Sequence, residues 1–162
     1  MTNIVGGIFD TLPDEFMSIL PNNYNLFFYR DNDSYIIYIS ETELNLKDIS
    51  NNAVGYVSFV MDYDDSELTV TFIESKIPRV GIGHYLMLII GYLANNQRIQ
   101  KILLDDDSDL AHKGSIYQKI GCKYVNEEPF PEMECSPLDI LNKYNEFYNK
   151  YVKRNLAFFK ET

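Results

Sequence analysis

The chain has 162 residues, 46% of them hydrophobic and 14% aromatic, with no tryptophan. That is enough to bury a substantial core without metal or disulfide staples, and too apolar for a disordered chain. The net charge of −10, from 24 acidic against 14 basic residues, leaves no basic patch dense enough to follow a phosphate backbone, which disfavours nucleic-acid binding. An acidic surface would draw in cationic ligands such as amines or basic peptides, or simply keep the protein soluble.

Met1-Thr-Asn-Ile-Val lacks the basic region and long apolar stretch of a signal peptide. Thr11-Leu-Pro-Asp-Glu opens like a capped helix that Pro21 ends. Strand candidates follow at Tyr24 to Arg30 and Tyr35 to Ile39, with a hairpin turn signal in Arg30-Asp-Asn-Asp-Ser34. The polar segment Leu46 to Asn52 has room for a short helical turn. Val54 to Met61 and Leu68 to Ile73 are the next strands, joined by the acidic turn Asp62-Tyr-Asp-Asp-Ser66. That turn could take a cationic substrate or a divalent ion, but as a solvated hairpin it needs neither, and it lacks an EF-hand spacing. Short turns between consecutive strands predict an antiparallel meander.

From Gly83 the period changes. His84 to Asn95 reads as a helix apolar almost all round, too short to span a bilayer and packed on both sides. Gln100 to Leu104 is a short strand expected to run parallel to the one ending at Ile73, through a right-handed crossover. The acidic run Asp105 to Asp109 reads as a loop before a second helix, Ala111 to Ile120, ended by Gly121. Cys122 to Val125 is the last clear strand, and Glu127 to Glu134, with Pro129 and Pro131, reads as a loop. Ser136-Pro-Leu-Asp139 starts a long terminal helix with an apolar stripe at Leu141, Tyr144, Tyr148, Tyr151 and Val152. Cys122 and Cys135 have no metal-like or redox-motif spacing, so the thiols are expected to be reduced in a soluble, cytoplasmic protein. His84 and His112 have no helical partnership that would suggest a metal site, and none is expected. The elements add up to an α+β domain with a mixed sheet.

The stretch with the strongest functional signal is Ile73-Glu-Ser-Lys-Ile-Pro-Arg-Val-Gly-Ile-Gly-His84. A strand ends in a glycine-bearing turn that opens directly into a helix. Backbone N–H groups of the first helical turn have no partners and point the same way, at the positive end of the helix dipole, which suits an anion. A tight turn that needs glycine only for packing would look the same in sequence.

The order strand, G-x-G, helix, strand, helix, strand, with Ile116-Tyr-Gln-Lys-Ile-Gly-Cys122 at the end of the second helix, resembles the GNAT superfamily of acetyl-CoA-dependent N-acetyltransferases. That family's signatures are an Arg/Gln-x-x-Gly-x-Gly/Ala turn and a later Leu/Ile-Tyr-x-Lys-x-Gly-Phe, and the match covers Val54 to Val125. The resemblance implies a central mixed, mostly antiparallel sheet flanked by helices. It divides the chain into a variable N-terminal half (1–62), an acetyl-CoA-binding core (63–126) and a C-terminal helix (136–160). It also implies that Ile73 pairs its main chain with the pantetheine arm, and that Arg79, Val80, Gly81, Ile82, Gly83 and His84 hold the cofactor pyrophosphate. Tyr117 would be the general acid for the departing thiolate and Glu67 the base that deprotonates the amine, with Glu74 a second candidate base. The acceptor would be a primary amine on a small molecule or a basic protein.

The sequence departs from the family at Pro78, where Arg or Gln is expected, with Arg79 one residue late. Cys122 stands in place of the usual aromatic, the asparagine at the start of the second helix is missing, and no final strand is evident. Three readings therefore stand: an N-acetyltransferase, a catalytically inactive module of that fold that self-associates or binds a protein through the terminal helix, and an unrelated α+β binding protein.

Overall fold

The computed structural model describes residues 12–106, 115–126, 131–153 and 158–160. Within them seven strands form one sheet in the order β1-β2-β3-β4-β5-β7-β6. β1 (Asn25–Asp31), β2 (Ser34–Ser40), β3 (Gly55–Asp62) and β4 (Glu67–Ser75) are the expected meander. Asn32, with φ 56°, takes the left-handed position in the β1–β2 turn, a conformation that asparagine tolerates better than most residues. A 3-10 turn (Leu46–Asp48) runs into the short helix α2 (Ile49–Asn52) between β2 and β3, while α1 (Asp14–Ser18) precedes the sheet.

Alternation decides which face each strand buries. Along β3, Val57 and Phe59 are buried in the main core, while Tyr56 and Ser58, which alternate with them, are only partly covered. A smaller apolar cluster of Phe27, Tyr38, Ile49 and Ala53 lies apart from this core, where α2 covers β1 and β2. α3 (Ile82–Asn96) is the central helix, buried over most of its circumference from Ile82 to Ala94. Its Tyr85 is fully buried, and the hydroxyl donates to the Phe16 carbonyl at 2.7 Å, which ties α3 to α1.

β5 (Lys101–Asp105) returns parallel to β4, as the crossover requires, and α4 (Ile116–Lys119) and β6 (Lys123–Asn126) follow. α4 is capped by Ser115, whose side chain accepts from the Gln118 N–H while Gln118 reaches back to the Ser115 N–H. The acidic run from Asp107 on and His112 lie outside the described residues.

Two expectations are corrected. The segment read as a loop up to Glu134 contains β7 (Glu132–Cys135), inserted antiparallel between β5 and β6. Its four residues alternate, with Met133 and Cys135 buried and Glu132 and Glu134 partly exposed, so the prolines upstream do not prevent pairing. Cys122 and Cys135 are joined by a disulfide rather than reduced, because Lys123 faces Glu134 across the ladder and the two cysteines are therefore next in register. The terminal helix is present over 137–152 with a turn at 142–143. It comprises α5 (Pro137–Leu141), α6 (Tyr144–Phe147) and a π-helical turn (Tyr148–Val152). No helix of the described residues is long and apolar enough to cross a membrane.

Candidate functional site

β4 and β5 are paired only at Glu67 with Lys101, Leu68 with Ile102 and Thr69 with Leu103. Beyond Thr69 they separate. β4 continues along β3 to Ser75, whereas β5 follows β7 through Asp105. The cause is visible in the β3–β4 register, where Ser58 faces Phe72 and Phe59 faces Val70, leaving Thr71 as an extra residue. A bulge of this kind bends its strand and increases the local twist. Its two hydroxyl neighbours, Ser58 Oγ and Thr71 Oγ1, are 2.7 Å apart.

The separation opens a cavity of about 350 Å³ lined by Thr69, Val70, Thr71, Phe72, Ile73, Leu104 and Asp105. A second cavity of about 260 Å³ shares Thr69, Val70, Leu104 and Asp105 and extends to Glu132. Both lie where two parallel strands end, the place where open α/β sheets bind ligands. Phe72 is 49% exposed and stacks on Tyr56 with ring centroids 5.5 Å apart.

The chain leaves β4 through Lys76 to Val80 and enters α3 at Gly81. Pro78 followed by Arg79 at φ 65° is the pattern of a type II turn, with a non-glycine residue in the left-handed position. Gly81 caps the helix at φ 89°, and the first bonded N–H is that of Tyr85, to the Gly81 carbonyl at 2.9 Å. Ile82, Gly83 and His84 are thus the first-turn donors without an intrahelical acceptor. A Cβ built on Gly83 would meet nothing within 4 Å, so there is open space beside these donors. One built on Gly81 would lie 2.6 Å from the Tyr151 ring, so the terminal segment is seated on that residue.

Of the residues singled out in sequence, the fold brings one set together along β4 and α3. Ile73 lines the cleft, Arg79 is exposed on the turn, Val80 is half-buried against the core, and Gly81 to His84 open the helix. Glu67 starts β4 on the paired side of the split, two residues before the cleft wall, and is partly exposed. Glu74 is partly exposed and bridged to Lys76. Tyr117 is 8% exposed and packed in the core rather than on the wall of the larger cavity. Asp62, Tyr63 and Asp64 of the acidic turn form a pocket of about 480 Å³ with Arg30, Asp33, Tyr35 and Met61, at the far end of β4 from the turn into α3.

His84 is more unusual than its sequence suggested. It is 7% exposed, flanked edge-on by Phe147 and Tyr151, and its Nε2 has no hydrogen-bond partner among the described residues. Burial first, and then the positive charges of Lys150 and Lys143, lower its pKa to about 4, so the ring is neutral at pH 7. The contribution of the terminal segment to this corner was not legible in sequence, where its tyrosines read only as an apolar stripe.

No family model matches the sequence, and no curated protein is similar to it. Solved structures are. The chain is similar to a GNAT family acetyltransferase from Elizabethkingia anophelis with acetyl-CoA bound, at 12% identity and a TM-score of 0.53, over 72% of this chain and 99% of that one. It is similar to a chimera of the Vibrio cholerae spermidine N-acetyltransferase SpeG and hSSAT, at 16% identity and a TM-score of 0.52, over 69% and 73% of the two chains. A nourseothricin acetyltransferase matches at 16% identity and a TM-score of 0.50, over 68% and 69%. The chain spans 61% of the PaiA N-acetyltransferase from Thermoplasma acidophilum. The order of its seven strands, the bulged β4 and the split from β5 give the chain the fold of the GNAT acetyltransferases.

Proposed function

We propose that the protein transfers an acetyl group from acetyl-CoA to a primary amine of a small molecule or a basic protein. The observation that carries this is the split between β4 and β5, which leads to the head of α3, where N–H groups with no intrahelical acceptor meet open space at Gly83. An extended arm fits the free edge of β4 between Val70 and Ile73 as an added strand would, and a pyrophosphate suits the N–H groups from Arg79 to His84.

Acetyl-CoA supplies an activated acyl group, and transfer forms the carbon–nitrogen bond as the carbon–sulfur bond breaks. Tyr117 is the acid of this reading, and because it lies outside the walls of both β4–β5 cavities its hydroxyl must reach the cleft to give its proton to the departing thiolate. Glu67 takes a proton from the ammonium through water, leaving an amine that can attack. Glu67 and Ile73 lie six residues apart on β4, about 20 Å of strand, with the proposed base on the paired side of the split, two residues before the cleft wall. The net charge of −10 favours arrival of a cation. Two of the similar structures are enzymes named for spermidine and nourseothricin, and an amine acceptor here rests on the charge and the chemistry.

A second reading has its own observation. Tyr151 sits on Gly81 and Pro78 offers no donor, as in an inactive module that uses the fold for protein contact through the terminal helix. Calorimetric titration with acetyl-CoA decides between them. Micromolar binding, with Tyr117→Phe and Glu67→Gln each lowering kcat by about 10²–10⁴ at unchanged affinity, is expected of the enzyme. No binding, together with stable self-association, is expected of the module.

A further inference from the structure

α4 is only four residues long (Ile116–Lys119), far short of the length of about 12–15 residues at which a helix begins to hold itself together in water. Its two ends are fixed from outside. Ser115 caps the start. At the other end the Gly121 N–H donates to the Gln118 carbonyl at 3.2 Å, and the Cys122 N–H donates to the Tyr117 carbonyl at 2.9 Å. With Gly121 at φ 99°, this pair of bonds is a Schellman motif, and Cys122 is the residue that closes it over Tyr117.

The strand that follows is a weak anchor for that closure. β6 is the last strand of the sheet and pairs with β7 at three positions, with an irregularity between Tyr124 and Asn126. Its residues are exposed apart from the partly covered Tyr124, and an edge with so little buried opens at low cost. The disulfide from Cys122 to Cys135 adds a covalent hold. Cys135 ends β7 and Ser136 caps α5, so the bridge ties the end of α4 to the sheet and to the start of the terminal segment. Cys135 also belongs to the wall of a cavity of about 300 Å³, with Gly121, Lys123 and Ser136. The chain has no other cysteine, so reduction can open only this bridge.

We propose that the Cys122–Cys135 bridge is a redox-sensitive catch on Tyr117: oxidised, it seats α4 so that the phenol serves the cleft, and reduced, it frees the end of α4 and slows transfer. The inference rests on the acetyltransferase reading for the role of Tyr117, and the two cysteines act in it as positioning residues. Tyr117 has to reach the cleft from outside both cavity walls, so a small shift of its helix misplaces the proton donor. The co-reactant is a dithiol. One of its thiolates attacks Cys135 Sγ through the cavity and displaces Cys122 as a thiolate. The second thiol then displaces Cys135, leaving two protein thiols and the oxidised dithiol.

The test compares the oxidised full chain with the chain treated with dithiothreitol, using acetyl-CoA and spermidine as the assay pair. Thiol titration without denaturant is expected to find both cysteines free after treatment and neither before. Reduction is expected to lower kcat about tenfold, reversibly on reoxidation, with acetyl-CoA affinity unchanged. Cys122→Ser/Cys135→Ser is expected to give the low rate with or without dithiothreitol. In Tyr117→Phe the redox dependence of kcat is expected to vanish, which a general loss of stability would not produce. Cysteines that resist dithiothreitol until the chain unfolds would overturn the catch, as would a kcat indifferent to reduction or a redox dependence that survives Tyr117→Phe. A chain that neither binds nor turns over acetyl-CoA sinks the acetyltransferase reading, and amide exchange then decides the catch. Faster exchange at Gly121 and Cys122 after reduction supports it, and unchanged exchange overturns it.

Discussion

β4 has two edges that meet different fates. Toward β3 it is paired from Glu67 to Ser75, interrupted only by the bulge at Thr71. Toward β5 it is paired for three residues and then abandoned. On the paired side the residues are sealed, with Phe59 and Val57 fully buried. Past the bulge Thr71 and Phe72 are exposed. Stability and accessibility are thus separated across the width of one strand. Damage on the β3 side should be read in melting, and damage on the open side in binding.

The largest expected effect tests that separation directly. Phe59 is fully buried and stacked on Tyr35 with centroids 5.4 Å apart, so Phe59→Ala should cost about 3–5 kcal/mol in urea unfolding. Phe72→Ala removes a half-exposed ring and its stack on Tyr56, and should cost about 1 kcal/mol or less. Equal losses from the two variants would mean that the outer edge of β4 is packed shut, and the contrast would collapse.

A second test moves to the head of α3. The folded pKa of His84, about 4, lies below its usual value of 6.5. The unfolded chain therefore binds the proton first as pH falls. The stability due to the neutral ring is complete above pH 6.5 and is lost progressively toward pH 4, by up to about 3 kcal/mol. Lys150 and Lys143 add to the cost of charging the ring, while Glu146, bridged to Lys143, opposes them. The stability difference between wild type and His84→Gln should slope between pH 6.5 and 4 and be flat above 7. A flat difference throughout would show that the imidazole is solvated and its corner open.

Much of this framework was legible in the sequence, for physical reasons that can be named. The hairpins announce themselves through turn residues and period-two alternation, and the unbroken apolar run after Gly83 could only be a helix covered on both sides. β7 was missed because Pro129 and Pro131 outweigh a four-residue alternation of glutamates with Met133 and Cys135. Its partner consequences were missed with it, since the disulfide depends on a register that two cysteines thirteen residues apart do not reveal. The cleft was expected from a resemblance, but its cause, the extra residue Thr71, has no signature in Leu-Thr-Val-Thr-Phe. Least legible was the seating of Tyr151 on Gly81, a contact between residues seventy apart whose motif reading explains only one of them.

That contact gives the two glycines of the turn different reasons to be glycine, and the smallest change in stability tests them best. Gly81 sits at φ 89° under the Tyr151 ring, so Gly81→Ala strains the backbone, pushes the terminal segment away and confounds folding with binding. Gly83 lies in the first turn of α3 with nothing near the place of a Cβ. Alanine there should leave stability unchanged or raise it by about 0.5–1 kcal/mol, because alanine loses less backbone entropy in a helix. The Gly/Ala of the family turn allows a methyl group here, whereas a large side chain would occupy the open space beside the first-turn N–H groups. Gly83→Ala should therefore leave acetyl-CoA binding unchanged, while Gly83→Leu should weaken it by about tenfold with little change in melting temperature. Undiminished binding in Gly83→Leu would show that nothing approaches the helix at Gly83.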